Sequence, residues 1–346
     1  MAKTVERPAG QQPKQQSLPA NWRYVMSTCN PPKGRMDAIS RWLVLTRACV
    51  QPMTITAAAI AGLLAVHTPG ADGFLFALAS VGIVLAHASN NLMNDVFDLD
   101  VGSDTVQYPR ALYAPHPVLS GMITRRGLLR AAAVVNVIDL GILIALVILR
   151  DPWVLAFALG GFVISVGYAA PPLRLKKHGL GEPSVLLVWG PLMVGGVYYS
   201  TVGHLPWHIV ADTIPYALLC TAVLMGKHLD KYEWDAPAGV GTLPVRIGER
   251  SARIATLGLM VGFYVCVIAL AATGALSAWA LVALIGITRL VPVWKVFAKP
   301  KPDGPPPEYP DYPIWPLWFT AAAFVHARRA GALFVAGLIL AAILPG

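Results

Sequence analysis

The stretch "GFLFALASVGIVLAHASNNLMNDVFDLDVGSDT", residues 73–105, joins a long apolar run to a dense group of polar residues. Its first part, residues 73–89, is an apolar run close to the length that crosses the hydrocarbon core of a bilayer as an α-helix. Its second part, residues 90–105, contains three asparagines and four aspartates. Charged side chains are costly inside a membrane, so we expect them at its boundary. The stretch therefore predicts a transmembrane helix that ends in a polar site at the membrane surface.

The whole chain has the composition of an integral membrane protein. Of its 346 residues, 56% are hydrophobic and 13% are charged, and the mean hydropathy is +0.59. Soluble domains carry about twice that share of charged residues. Apolar segments of spanning length recur near residues 40–66, 73–93, 127–149, 152–170, 184–202, 211–229, 252–273, 276–297 and 315–344. The sequence predicts an all-α integral membrane protein with about nine transmembrane helices, in a single bundle with a central cavity that opens to the cytoplasmic side.

The N-terminal residues 1–37 differ from the rest of the chain. They are rich in proline, glutamine and basic residues, and they lack the apolar core of a signal peptide. We expect a flexible cytoplasmic arm here, followed by a transmembrane domain over residues 38–346. The cysteines show no metal-ligand spacing, and we interpret all of them as packing residues. They are Cys29, Cys49, Cys220 and Cys266.

Lysine and arginine residues set the predicted orientation, because they are enriched in cytoplasmic loops. With the N-terminus inside, the inner loops and helix ends carry most of these residues, whereas the outer connections offer only Arg150. This distribution predicts a plasma-membrane protein whose N-terminus and polar helix ends are cytoplasmic. The net charge of +9 is therefore mostly a topology signal. No basic face with interleaved aromatic residues appears outside the membrane ends, so nucleic-acid binding is not expected.

Acidic residues are concentrated in two segments that this topology places on the same side. The first acidic segment, residues 90–105, contains four aspartates, and the second, "GKHLDKYEWDAPAGVGTLPVRIG", residues 226–248, contains three acids. The acids are Asp95, Asp98, Asp100, Asp104, Asp230, Glu233 and Asp235. Both segments follow predicted spans. Such a concentration at two helix ends indicates a site between them, although acidic loops that balance nearby arginines are the simpler alternative.

The spacing of the first acidic segment suits a metal ion. On a helix, His87, Asn91, Asn94 and Asp98 recur at steps of three or four residues and share one face. Mg²⁺ takes oxygen ligands, and it usually binds through a few carboxylates together with waters or substrate phosphates. Two facing acidic segments could hold such ions around a pyrophosphate.

Basic side chains that could grip the same phosphates lie on the intervening inner loops. They are Arg110 and, in the stretch "PPLRLKK" at residues 171–177, Arg174, Lys176 and Lys177. The alternative is that these are ordinary membrane-boundary cations.

These motifs carry a family resemblance. The sequence "NDVFDLDVGSDT" resembles the first Asp-rich motif of the UbiA superfamily of intramembrane prenyltransferases, and the second acidic segment resembles the other one, with its typical "TLPVRIG" ending. Further similar stretches are "PVLSG" at 117–121, "YAAPPLRLKKHGLGE" at 168–182 and "WGPLMVGGVYY" at 189–199. Within the superfamily, the chain looks most like the 1,4-dihydroxy-2-naphthoate polyprenyltransferases of menaquinone synthesis.

The resemblance implies Mg²⁺-dependent transfer of a polyprenyl group from a prenyl diphosphate to an aromatic acceptor within the bilayer. The acceptor expected is 1,4-dihydroxy-2-naphthoate, and the alternatives are hydroxybenzoate, homogentisate or phosphoribosyl pyrophosphate. The implied metal ligands are Asn94, Asp95, Asp98, Asp104, Asp230, Glu233 and Asp235. The implied catalytic residues are Asp98, Asp230, Asp235 and Tyr168, and the implied substrate-binding residues are Asn91, Arg110, Arg174, Lys176 and Lys231.

Two positions depart from the family pattern. The paired aspartates of the second motif would fall at positions 231 and 235, but position 231 is Lys. Either Asp230 replaces the missing ligand, with Glu233 helping, or the site binds its metal more weakly. The first predicted span contains "TRACVQP" in place of an Arg-Pro step, which leaves the role of Arg47 open.

A membrane transporter is the main alternative from another class of protein. In a transporter, intramembrane polar residues would line an ion path, and matched broken helices would occur in inverted repeats. No such repeat is evident, and the acids lie at helix ends rather than at midspan. These observations favour the enzyme.

Overall fold

The computed structural model describes residues 17–32, 34, 36–100, 114, 116–307, 312 and 314–344, and it gives Asp98 and Asp100 without their side chains. The predicted site residues Asp104 and Arg110, and the side chain of Asp98, lie outside this description. Within the described ranges the protein is helical and contains no β-strand.

The α-helices are α1 (Leu18–Thr28), α2 (Ala38–Leu45), α3 (Gln51–Ala65), α4 (Gly73–Asp100), α5 (Arg125–Leu149), α6 (Val154–Ala169), α7 (Gly181–Leu187), α8 (Met193–Val202), α9 (Trp207–Leu229), α10 (Tyr232–Asp235), α11 (Leu243–Ile247), α12 (Glu249–Ala272), α13 (Leu290–Phe297) and α14 (Trp318–Ile343). Tighter or wider helical turns cover Ala48–Val50, Leu175–His178, Val188–Leu192 and Ala278–Arg289.

The prediction of an all-α integral membrane protein is confirmed. Eight helical segments of the described chain are long and apolar enough to cross a bilayer. A further apolar helix, α6, has 16 residues. Isoleucine, leucine and valine side chains of α5 project from the molecule, among them Val137 and Ile148 at 69% and 75% exposure. Such an apolar exterior is suited to contact with lipid.

Helix α9 lies at the centre of the bundle. It packs against α12 on one side, against α14 on another, and against the segment from α7 to residue 192. Leu219 of α9 and Phe263 of α12 are fully buried in the core, as is Phe334 of α14. Because α9 is held from several directions, the second acidic segment that follows it starts from a fixed point.

Two predicted spans are interrupted rather than continuous. The first is broken between α2 and α3, where Arg47 adopts the left-handed conformation with φ 51°. The span over residues 181–202 contains a π-helical turn at Val188–Leu192 that includes Pro191. Pro191 has no amide hydrogen to donate, so a backbone hydrogen bond of the regular α-helix is missing at this turn. Arg47 of the first interruption and Trp189 of the second contact α4, the helix that ends in the first acidic segment.

The described part of the predicted N-terminal arm contains a helix. Residues 18–28 form α1, which packs against α2, and Trp22 Nε1 donates to Asp37 Oδ1 at 3.1 Å. The interpretation of the cysteines as packing residues is wrong for two of them, because Cys29 and Cys49 form a disulfide with Cα atoms 5.4 Å apart. Sequence spacing gave no signal for this pair, since it joins the arm to the break between α2 and α3. Cys220 and Cys266 are unpaired.

The predicted orientation can be tested with two introduced cysteines. We expect Ala238→Cys, in the exposed part of the second acidic segment, to react with a membrane-impermeant maleimide only after the cells are permeabilised. His208→Cys, at the exposed start of α9, should react in intact cells. Both changes are made in a background with the native cysteines replaced by serine. Labelling of position 238 in intact cells would reverse the orientation.

Candidate active site

The first acidic segment is held by the break that precedes α3. The buried carboxylate of Asp95, with an exposed fraction of 1%, forms an ion pair with Arg47. One turn earlier on α4, Asn91 Nδ2 donates to the Thr46 carbonyl oxygen at 3.0 Å. The left-handed backbone at Arg47 thus brings a guanidinium against the end of α4. This contact answers the question that the sequence left open about Arg47.

A buried histidine, His116, connects residues 116–118 to the end of α4. Val118 N–H donates to His116 Nδ1 at 3.2 Å, so Nδ1 is unprotonated and Nε2 carries the hydrogen. His116 Nε2 then donates to the Asp95 carbonyl oxygen at 2.9 Å. This pair of hydrogen bonds ties the start of the "PVLSG" stretch to the end of α4. The predicted family motif therefore has a structural role at this site.

Polar side chains continue along α4 below the acidic segment. His87 Nδ1 lies 2.6 Å from Thr54 Oγ1 of α3, and the imidazole meets the Trp189 ring edge-on with centroids 5.4 Å apart. Trp189 belongs to the π-helical turn, so that irregularity supplies an aromatic wall close to α4. The face predicted to run from His87 to Asn91 is thus turned toward neighbouring helices rather than toward lipid.

Asp230, a predicted metal ligand and catalytic residue, caps the N-terminus of α14. Its Oδ1 accepts the backbone N–H groups of Trp318 and Phe319 at 3.0 and 2.8 Å. Its Oδ2 accepts the N–H and the hydroxyl of Thr320 at 2.8 and 2.6 Å. The first N–H groups of a helix have no partner within that helix, and an anion there also interacts favourably with the helix dipole. Lys301 Nζ strengthens the junction by donating to the Asp230 carbonyl oxygen at 2.9 Å.

These contacts bear on the charge and the role of Asp230. Burial raises the pKa of its carboxyl to about 6, and the hydrogen bonds from Thr320 and Phe319 oppose that rise. The pKa of this carboxyl therefore lies closer to neutral pH than that of an exposed aspartate. Four donors occupy its two oxygens, which counts against the expectation that Asp230 replaces the missing aspartate as a metal ligand.

The other residues of the second acidic segment divide by burial. Lys231 and Asp235 are buried, with exposed fractions of 4% and 1%, whereas Glu233 is exposed. The Asp235 N–H donates to the Lys231 carbonyl oxygen at 2.9 Å, which holds the two residues one turn apart. The chain thus has Lys231, one turn before the buried Asp235, where the family pattern has a second acid. Glu233 is exposed to solvent, whereas Asp235 is buried, so the two carboxylates lie in different environments.

Tyr168 is the half-buried end of a relay of three hydrogen-bonded side chains. The sequence predicted Tyr168 as a site residue but not the other two residues. Its hydroxyl lies 3.2 Å from His228 Nε2, and His228 Nδ1 lies 2.7 Å from Glu182 Oε1. His228 and Glu182 are 1% and 2% exposed. Both residues stand inside the quoted family motifs, in "GKHLD" and "GLGE", so motif membership was the available signal. A carboxylate, an imidazole and a phenol in sequence can hold or accept a proton.

The basic loop at residues 171–177 contacts the second acidic segment. Arg174 adopts the left-handed conformation, with φ 40°, and opens the turn that contains Lys176 and Lys177. A Cβ atom at Gly241 would lie only 2.8 Å from the Lys177 carbonyl oxygen, so the two loops touch and only glycine fits. The structure therefore brings the predicted phosphate-binding loop and the second acidic segment together.

The donor atoms suit Mg²⁺, although no group of three His, Cys, Asp or Glu side chains that could hold a metal occurs among the described residues. The buried carboxylates of Asp95 and Asp235 supply oxygen, which is the ligand that Mg²⁺ prefers. Asn94 lies one turn before Asp98 on α4 and is half-buried. Asp98 and Asp104 would have to complete such a set, and their side chains lie outside the description.

The protein is thus a helical membrane protein in which buried acids, basic side chains and the hydrogen-bonded Tyr168, His228 and Glu182 lie at helix ends. Residues 55–315 match the model of the UbiA prenyltransferase family. The chain belongs to this family and is a transferase.

Among its relatives, the 1,4-dihydroxy-2-naphthoate octaprenyltransferase of Haemophilus influenzae is 30% identical over 214 residues, which cover 60% of this chain and 68% of that protein. The Escherichia coli protein of the same name is 29% identical over 231 residues, or 65% of this chain and 74% of the relative. The 2-carboxy-1,4-naphthoquinone phytyltransferase of Synechocystis is 28% identical over 217 residues, or 61% of this chain and 66% of the relative.

Solved structures share the fold at low sequence identity. A UbiA homolog from Aeropyrum pernix superposes with a TM-score of 0.63 at 17% identity, and covers 84% of this chain and 97% of its own. A UbiA homolog from Archaeoglobus fulgidus, bound to GPP and Mg²⁺, gives a TM-score of 0.59 at 17% identity, with 88% of this chain and all of its own covered. Both support the helical arrangement described above.

The role of Asp230 can be separated from catalysis by measuring stability. We expect Asp230→Ala to lower the melting temperature in detergent by about 5 °C, because three backbone N–H groups at the start of α14 lose their acceptor, at a cost of roughly 2 kcal/mol. Glu233→Ala is the matched control, since it removes an exposed acid from the same segment. An Asp230→Ala protein with unchanged melting temperature but weakened Mg²⁺ binding would restore its assignment as a metal ligand.

Proposed function

We propose that this protein transfers a prenyl group from a prenyl diphosphate to an aromatic acceptor in a reaction that requires Mg²⁺, and that the acceptor is 1,4-dihydroxy-2-naphthoate. The observation that carries the proposal is the presence of a buried acid and a basic residue at each of two helix ends: Asp95 forms an ion pair with the half-buried Arg47, and the buried Asp235 lies one turn after the buried Lys231. Family membership supports prenyl transfer, and the names of the naphthoate relatives support the acceptor.

The residues proposed to hold Mg²⁺ are Asn94, Asp95, Asp98, Asp104 and Asp235, and when bound the ion would neutralise charge on the donor diphosphate. We leave Asp230 and Glu233 out of this set, because the first caps α14 and the second is exposed. The GPP and Mg²⁺ of the Archaeoglobus homolog support a metal and a prenyl diphosphate in this family.

Cationic side chains are proposed to bind the diphosphate as it leaves. Lys231 is buried one turn before Asp235, so an interaction of its ammonium group with an anion would be weakly screened by water. Arg174 and Lys176 lie on the basic loop that touches the same segment, and Arg110 is proposed to join them. Negative charge on the diphosphate grows as the allylic C–O bond breaks, and fixed cations stabilise that change most.

The relay of Tyr168, His228 and Glu182 is proposed to serve the acceptor. When an aromatic carbon forms its bond to the prenyl group, the C–O bond of the donor breaks and diphosphate leaves with the electrons of that bond. The acceptor must then lose one proton so that its ring regains aromaticity. The Tyr168 hydroxyl lies at the half-buried end of the relay, where an acceptor hydroxyl could meet it. His228 then receives the proton and the Glu182 carboxylate stabilises the imidazolium.

The proposed location is the cytoplasmic face of the plasma membrane. A polyprenyl tail is itself lipid-like, so it can lie between helices while the diphosphate stays at the surface. Other acceptors remain within the same chemistry, since the Synechocystis relative carries a different acceptor in its name. Membership of the UbiA family removes support from the transporter alternative.

The test of this function is turnover by the purified protein in proteoliposomes. We expect transfer of label from a radiolabelled prenyl diphosphate to 1,4-dihydroxy-2-naphthoate in the presence of Mg²⁺, and loss of that transfer in excess EDTA. Hydroxybenzoate and homogentisate serve as comparison acceptors. Full activity in EDTA would refute the metal requirement, and product with hydroxybenzoate alone would refute the acceptor.

Asp98 is the acid whose loss should damage turnover most. Asp98→Asn keeps the shape of the side chain but removes its charge, and we expect a loss of roughly a hundredfold or more, the scale of deleting a key electrostatic group. The protein should still purify as a monodisperse species with an unchanged melting temperature. Glu233→Gln, an equal loss of charge at an exposed position, should retain activity. Near-native turnover of Asp98→Asn would contradict the proposed site.

A further inference from the structure

Three arginines lie far from both ends of the last two spanning segments. Arg328 and Arg329 stand in α14, and Arg289 ends the 3₁₀ turn at Ala278–Arg289 that leads into α13. All three side chains are exposed. At about 1.5 Å per residue, Arg329 lies roughly 16 Å along α14 from Trp318, well inside a hydrocarbon core about 30 Å thick. Arginine at such depth faces a cavity or pairs with an anion in most membrane proteins.

Two of these arginines share one groove. A cavity of about 270 Å³ between α13 and α14 is lined by Arg289 and Arg329, with Tyr312 of the preceding loop also at its wall. Its apolar walls come from valine and alanine side chains, including Val293 and Ala322. Neither arginine has a hydrogen bond or an ion pair with any residue that the structure describes. Two positive charges therefore line one apolar groove on the outside of the bundle.

A buried histidine provides a second, independent sign of a ligand. His326 lines the same groove and is only 1% exposed. Its Nε2 lies 3.3 Å from the Tyr264 hydroxyl, but its Nδ1 is buried and has no hydrogen-bond partner among the described residues. Buried polar atoms are nearly always paired in native proteins. An unpaired imidazole nitrogen beside two arginines indicates that a polar group from outside the chain enters here.

Arg328 differs from its neighbour. It does not line the groove, and its guanidinium lies over the Phe324 ring, with Cζ 5.7 Å from the ring centroid. This contact gives Arg328 a partner of its own. Arg328 is therefore a matched reference: it has the same charge at the same depth on the same helix, but it has no access to the groove.

The position of the groove identifies the leaflet that it faces. Helix α14 begins at the second acidic segment, where Asp230 holds its first N–H groups. Arg329 and Arg289 lie in the half of the bundle nearer that end, and long arginine side chains extend toward the nearer membrane surface. The groove thus opens toward the leaflet on the acidic side of the protein.

We propose that this groove binds an anionic phospholipid from that leaflet, with the lipid phosphate between Arg289 and Arg329 and the acyl chains along the walls of α13 and α14. Charge complementarity selects an anionic lipid over a zwitterionic one, since the two guanidinium groups have no acid within the described chain. Basic pockets between transmembrane helices bind anionic lipid headgroups in this way. A water-soluble phosphate does not fit, because the apolar walls would contact no part of it. This site is independent of the function proposed above.

The proposal is tested by lipid retention in native mass spectrometry of the full chain. Delipidated protein is exchanged into micelles that contain equal amounts of phosphatidylglycerol and phosphatidylcholine. We expect the wild type to retain one phosphatidylglycerol in preference to phosphatidylcholine. The Arg289→Gln/Arg329→Gln variant should lose about tenfold or more of that preference, whereas Arg328→Gln should behave like the wild type.

Three outcomes would overturn the proposal. Equal retention of both lipids by the wild type would mean that the groove does not select charge. If Arg328→Gln lost as much of the preference for phosphatidylglycerol as the double variant, the positive charge of α14 would attract anionic lipid without a defined site. A wild-type dimer that becomes monomeric in the double variant would assign the groove to a second copy of the chain. The comparison of lipids on wild-type protein needs no variant, and the single changes replace the double variant if it does not fold.

Discussion

A carboxylate that leaves water for the interior of a membrane protein needs a cation or several hydrogen-bond donors around it, and both acidic segments of this protein meet that requirement differently. Asp95 takes a cation, Arg47, and Asp230 takes the N–H groups at the start of α14. The ion pair involves the break between α2 and α3, and the hydrogen bonds involve the start of α14. Both features thus compensate a buried negative charge.

The same need gives the site its mixture of charges. A cluster of acids alone would suit a metal but repel a diphosphate, whereas a cluster of cations alone would hold the diphosphate but not the metal. Arg47 reaches Asp95 from the break before α3, and Lys231 lies one turn before Asp235, so both signs of charge occur at each acidic segment. At position 231 this chain has Lys where the family pattern has an acid. Its second segment therefore carries a positive charge of the protein at a position where the family pattern has a negative one.

Local sequence predicted the fold class and most of the spans, because hydropathy depends on short windows that a linear reading samples well. It could not predict contacts between distant residues. The Arg47 pair with Asp95 spans 48 positions, and the bond from Phe319 to Asp230 spans 89. The disulfide of Cys29 and the relay from Glu182 to His228 have the same character, since each joins segments that become neighbours only after the helices pack. Asp230 therefore resembles a metal ligand in sequence, whereas in the structure its two carboxylate oxygens accept four hydrogen bonds from the start of α14.

The cap that Asp230 provides also has a consequence for biogenesis. Spanning helices enter the bilayer individually and associate afterwards. Helix α14 is made after α9, and until it docks beside α9 the N–H groups of Trp318, Phe319 and Thr320 lack the acceptor that they have in the folded protein. Docking of α14 thus completes the second acidic segment, and a chain that stops before residue 318 would leave the Asp230 carboxylate without these donors. Assembly of the site is consequently delayed until α14 has been synthesised.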